Sequence, residues 1–119
     1  MFGWGNKTDP TAPSLDSLVA ENRCVMFSMP SCPWCTKAEE FLAKNKLKCK
    51  VVNLQESQFL AFEVIKATGQ RTVPNIFIDG QHVGGHDSLL ESFDKCQKVG
   101  KGDTNVPNYC DYLKGNKRR

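Results

Sequence analysis

Apolar residues in this chain come in short blocks whose spacing changes from one block to the next, and each change marks an element. Ser14 has the character of an N-cap, and Leu15, Leu18 and Val19 follow at helical spacing, which predicts a short leading helix. Cys24-Val25-Met26-Phe27-Ser28 is a continuous, largely apolar run of strand length, and a first strand is predicted over 24–29. Residues 32–44 return to helical spacing, and Leu47 to Asn53 alternates as a strand does. Phe59, Leu60, Phe62, Val64 and Ile65 predict a helix between Ser57 and Thr68, with Gly69 as its stop. A β-hairpin follows: Asn75–Asp79 is a strand, Asp79-Gly80 the turn, and Gln81-His82-Val83 the return. Gly84-Gly85 then opens a last helix from about Asp87 to Val99, with Leu89, Leu90 and Phe93 as its core face. The order α, β, α, β, α, β, β, α describes a layered α/β domain.

Composition narrows the picture. With 119 residues, 39% of them hydrophobic and 24% charged, there is material for one domain and one core. Residues 1–13 mix Gly5, Pro10 and Pro13 with polar neighbours and read as a flexible arm; residues 14–100 form the domain, and 101–119 a polar tail. Val106 to Leu113 adds at most a helical turn or two to that tail. Sixteen basic side chains against thirteen acidic ones leave no basic stripe, so no nucleic-acid partner is expected. No apolar stretch approaches the roughly 18 residues of a membrane span. The first ten residues also lack the basic start and apolar centre of a secretory signal, so the expected location is cytoplasmic and reducing. A monomer is expected.

The chemistry resides in Cys32-Pro33-Trp34-Cys35, set between the first strand and a helix. Two thiols three residues apart at a helix start share one face and can form a disulfide with little backbone movement. Cys32 is the candidate nucleophile: unpaired backbone N–H groups at the helix start favour its thiolate by about 0.3–2 kcal/mol. Pro33 suits the first helical position, where its missing N–H costs nothing. Cys35, one turn deeper, is the candidate resolving thiol. Together they indicate a thiol–disulfide oxidoreductase. A zinc site would need four ligands, and the chain has no second CxxC and no HxxxH, so no metal is expected. The irregular spacing of the six cysteines and the regular core pattern argue against a disulfide scaffold; Cys24 and Cys49 read as small core or edge residues, and a Cys96–Cys110 disulfide stays open. His82 and His86 read as hairpin and helix-opening residues.

Three segments, in their order and separation, resemble a dithiol glutaredoxin of the thioredoxin fold. They are Cys32-Pro33-Trp34-Cys35 after a strand, Thr68-Gly69-Gln70-Arg71-Thr72-Val73-Pro74-Asn75-Ile76-Phe77-Ile78, and Gly84-Gly85-His86-Asp87-Ser88-Leu89. The resemblance covers residues 14 to about 100. It implies a four-stranded mixed central sheet flanked by helices, here with an extra N-terminal helix. It also implies a glutathione-dependent enzyme that reduces protein disulfides through Cys32 and Cys35, and protein–glutathione mixed disulfides through Cys32 alone. Glutathione would enter as co-substrate, beside a cis Pro74 and paired with the backbone of Val73. Trp34, Arg71, Thr72 and Gly85 would line its groove, and Asp87 and Ser88 would hold its γ-glutamyl end. Two positions depart from the family: Met29 and Ala61 stand where a Lys and a Gln usually assist with the glycine carboxylate, leaving Arg71 there and Lys37 on the catalytic helix. The alternative within the resemblance is a carrier in which two chains share a [2Fe–2S] cluster with two glutathiones. Pro33 disfavours it, since cluster-binding members generally lack proline at that position.

Overall fold

A computed structural model describes residues 14–99 and 106–115. Among these residues five helices and four strands follow one another as α1 (Leu15–Glu21), β1 (Cys24–Ser28), α2 (Pro33–Lys44), β2 (Lys50–Asn53), α3 (Gln58–Thr68), β3 (Asn75–Ile78), β4 (Gln81–Gly84), α4 (His86–Gln97) and α5 (Tyr109–Leu113), with a 3-10 turn at Leu54–Glu56. The sheet order is β2-β1-β3-β4, with β1 and β2 parallel and the other two pairs antiparallel. This is the mixed four-stranded sheet expected, with the additional helix α1 ahead of it.

Alternation along the strands sorts the side chains into two cores. Cys24, Met26, Ile76 and Ile78 face α2, α4 and α5, against Ala38, Leu42 and Leu89. Val25, Phe27 and Phe77 face α1 and α3, against Leu15, Leu18, Leu60 and Val64. Helices on both faces explain why β1 reads as an unbroken apolar run. The helix starts match the sequence: Ser14 and Ser17 form a reciprocal capping box on α1, and Ser57 Oγ accepts the Leu60 N–H at 3.1 Å on α3. Gly69 ends α3 in the left-handed region at φ 72°.

Three expectations change. The second strand begins at Lys50 rather than Leu47, because Leu47 belongs to the stop of α2. Lys46 adopts φ 59°, and the Lys46 and Leu47 N–H groups donate to the carbonyls of Ala43 and Leu42, a Schellman closure that buries the Leu47 side chain. Second, Cys24 in the core and Cys49 packed against it have a further role that the sequence reading did not give them: they form a disulfide, with Cα atoms 4.5 Å apart. The parallel register pairs Val25 with Lys50, so Cys24 and Cys49 are the adjacent positions one step back along the two chains. Third, the tail is not wholly polar. Cys110, Tyr112 and Leu113 of α5 are buried in the core on the α4 side, the Tyr112 hydroxyl donates to the Lys48 carbonyl, and Gln97 Nε2 donates to the Leu113 carbonyl at 3.2 Å. Burial pushes the Tyr112 hydroxyl pKa up to about 12. The expected arm lies outside the described residues, as do 100–105 and 116–119.

A second disulfide, Cys96–Cys110, ties α5 to α4. A helix of five residues has little stability of its own, so the bond supplies what local propensity cannot. It closes a loop of sequence separation 14, worth about 3 kcal/mol by loop entropy. The double variant Cys96→Ala/Cys110→Ala is expected to lose about 2–4 kcal/mol in urea unfolding. An unchanged midpoint would mean that packing alone holds α5.

Candidate active site

β1 ends at Ser28, and the chain turns through Ser31, at φ 59°, to reach Cys32 at the N-cap of α2. Cys32 Sγ accepts the Cys35 N–H at 3.1 Å, so the sulfur takes up one of the N–H groups that a helix start leaves unpaired. Pro33 occupies the first turn. Cys32 is partly exposed whereas Cys35 is 2% exposed, and the two are joined as a disulfide. Outer and inner sulfurs are thereby distinguished by position alone.

Across from them runs the segment before β3. The Val73–Pro74 peptide bond is cis, and Cys32 Sγ lies 3.8 Å from the Val73 carbonyl oxygen. Gln70 braces this segment: its Nε2 donates to the carbonyls of Thr72 at 2.8 Å and Pro74 at 2.9 Å, and its Oε1 accepts from His82 Nε2 at 3.2 Å. Burial lowers the His82 pKa, favouring the neutral ring. Thr68 Oγ1 accepts from the Gln70 backbone and from Asn75 Nδ2. The sequence offered no sign of Gln70's role beyond its place in the Thr68–Ile78 segment, because its partners are backbone oxygens of a bend that only the folded chain makes.

A cleft of about 350 Å³ opens between α2, this segment and the start of α4, lined by Trp34, Thr72, Val73, Pro74, Gly85, His86, Asp87 and Ser88. Seven of the eight residues named from sequence as glutathione contacts meet there. Arg71 does not line it and is exposed. His86, read from sequence only as opening a helix, is part of the wall. Trp34 is half exposed, with the His86 ring centroid 5.1 Å from its own and Lys37 Nζ 4.5 Å above it. Lys37 is thus directed to the indole. Met29 is exposed, and Ala61 packs toward the α1–α3 core. A larger groove, of about 610 Å³, is lined by Met26, Leu42, Leu47, Cys49 and Val51 among others; its cysteine is bonded to buried Cys24, so the smaller cleft beside Cys32 is the one with chemistry. Among the described residues no group of three or more His, Cys, Asp or Glu is placed to hold a metal.

A glutaredoxin family model matches residues 24–83, half of the chain. The chain belongs to the glutaredoxin family. It is 44% identical over 85 residues to a glutaredoxin of Ricinus communis, a match covering 69% of this chain and 83% of that one. Its fold is similar to the crystal structure of a buckwheat glutaredoxin–glutathione complex, with a TM-score of 0.63 and 32% identity over 66% of this chain and 74% of the other. The solution structure of the dithiolic glutaredoxin 2-C-Grx1 from Trypanosoma brucei brucei is similar too, with a TM-score of 0.63 and 34% identity over 74% and 93% of the two chains. This glutaredoxin is therefore a thiol–disulfide oxidoreductase of the thioredoxin fold.

Gly84 and Gly85 play different parts at the cleft edge. Gly84 has φ 121°, and a Cβ there would lie 2.8 Å from Ser88 Oγ and 2.9 Å from Ser88 Cβ. At Gly85 the nearest contact would be the Pro74 carbonyl at an ordinary 3.6 Å. Gly84→Ala should therefore lose about 1–3 kcal/mol in denaturant unfolding through strain and overlap, while Gly85→Ala stays within about 1 kcal/mol of the parent. Equal losses would show that backbone freedom at Gly84 is not what the cleft requires.

Proposed function

We propose that this glutaredoxin uses glutathione as co-substrate, reducing protein–glutathione mixed disulfides through Cys32 alone and protein disulfides through Cys32 and Cys35 together. The observation that carries the reading is the convergence of the cleft residues beside a partly exposed Cys32 whose partner sulfur is buried. Cys32, as thiolate, attacks the substrate disulfide and holds the mixed disulfide. For a protein disulfide, Cys35 attacks next, and its position one turn into α2 suits it to wait there. For a glutathionylated protein, Cys32 keeps the glutathionyl group and a second glutathione removes it. A stabilised Cys32 thiolate matters most in that second step, as the leaving group.

The cleft offers glutathione three kinds of contact. The Val73 backbone, just ahead of β3, can pair with the tripeptide as a neighbouring strand would. The start of α4, at Gly85, Asp87 and Ser88, suits the γ-glutamyl carboxylate, and Trp34 and Pro74 provide apolar walls, with Thr72 also in the lining. Arg71, outside the cleft lining, is the cation left for the glycine carboxylate, since Met29 and Ala61 bring none. The protein acts as a monomer in this reading.

Cys32→Ser should abolish both activities. Cys35→Ser should retain reduction of a glutathionylated peptide while losing dithiol reduction of a protein disulfide, followed in parallel with glutathione as the electron source. Equal loss of both activities in Cys35→Ser would overturn the division of labour. Met29→Lys should lower the Michaelis constant for glutathione by about 1.4–5-fold, the range of a partly exposed ion pair. No change there would count against the glycine carboxylate lying near Met29.

A further inference from the structure

Among the residues lining the cleft only His86 and Asp87 are titratable, and they are partnered: His86 Nδ1 lies 3.1 Å from Asp87 Oδ1. A carboxylate oxygen accepts, so this pairing takes up Nδ1 as the donor and leaves Nε2 as the other ring nitrogen. That nitrogen has no protein partner among the described residues. The ring is positioned rather than free, since its side chain is 15% exposed and its centroid sits 5.1 Å from that of Trp34. From α4 His86 meets Asp87, and from α2 it meets Trp34, over which Lys37 sits. The Thr72–Pro74 segment brings no titratable group.

The reaction proposed above leaves one proton unassigned. Cys32 departs as a thiolate and needs no acid, but the thiol that attacks its mixed disulfide arrives protonated. An alkyl thiol with a pKa of about 8.5 is only about 3% ionised at pH 7.

We propose that His86 is the base that takes this proton, an assignment that rests on glutathione being the reductant. The S–H proton of the incoming glutathione passes to His86 Nε2. Its sulfur forms a bond to the glutathionyl sulfur held by Cys32, and the Cys32 bond breaks with its electron pair remaining on Cys32. Glutathione disulfide leaves, and the imidazolium, steadied by Asp87, returns its proton to water. The two electrons that reduce Cys32 come from the incoming thiol. His86 thus does for the second thiol what the start of α2 does for Cys32.

The gain is bounded. Raising ionisation from about 3% to complete is worth about thirtyfold at most. His86→Gln and His86→Asn should each lower turnover with glutathione at pH 7 by about 5–30-fold more than they lower turnover driven by an aromatic thiol already ionised at that pH. The urea unfolding midpoint of both variants, expected to match the parent's, serves as the check on folding, and the first step, transfer of the glutathionyl group from a labelled peptide to Cys32 with no free thiol present, is followed separately in the unmodified protein. Equal loss with both thiols, or undiminished turnover with glutathione, would overturn the assignment. Failure of the first step in the unmodified protein would instead sink the glutathione reading itself.

Discussion

β1 is hydrogen-bonded along both edges and covered on both faces, and the geometry at Cys32 follows from that confinement. Val25, Met26 and Phe27 have no exposed surface, and burying side chains of this size stabilises the fold by about 1.5–3 kcal/mol each. A strand held so firmly leaves the sheet at one definite point, and Cys32 lies four residues beyond its end. Antiparallel pairing sets Phe27 opposite Asn75, so the segment just before Asn75 arrives at that same end of the sheet. The approach of Val73 to Cys32 is therefore a consequence of register as much as of any contact between them.

The opposite end of β1 carries a different arrangement. Cys24 is bonded to Cys49, Arg23 makes a two-pronged ion pair with Asp79, and the Arg23 guanidinium lies 5.1 Å from the Tyr112 ring centroid. Tyr112 in turn bonds to Lys48, and Cys110 to Cys96. One end of the sheet is fastened covalently and the other carries the Cys32–Cys35 pair beside the cleft. This separation lets the C-terminal helix be locked in place without restricting the cleft.

At the site itself, fixed charge is scarce. Lys37 lies over Trp34 and Arg71 sits outside the cleft lining. Stabilisation of the Cys32 thiolate then falls to the start of α2, where an N–H group already points at the sulfur. Gln70 contributes by holding two carbonyls of the bend at Pro74, and Gly84 by leaving room for Ser88.

Local patterns in the sequence determined a good deal. The element order, the caps at Ser14, Ser57 and Gly69, and the place of Cys32 at a helix start depend on spacing and on the chemistry of near neighbours, both of which a chain carries with it. The three segments quoted from it were enough to indicate the family and the residues of the cleft. Tertiary structure decided the rest, wherever a residue's partner lies far along the chain. Cys24 meets Cys49 only because β1 and β2 pair in one parallel register, and Leu47 left the strand because the stop of α2 places Lys46, one residue before it, in the left-handed region. The tail looked polar because Cys110, Tyr112 and Leu113 are too few to show a period, yet a disulfide and a hydrogen bond to Lys48 suffice to bury them. His86 likewise became a wall of the cleft only when α4 was set against Trp34, since nothing in its own neighbourhood says what its ring will face.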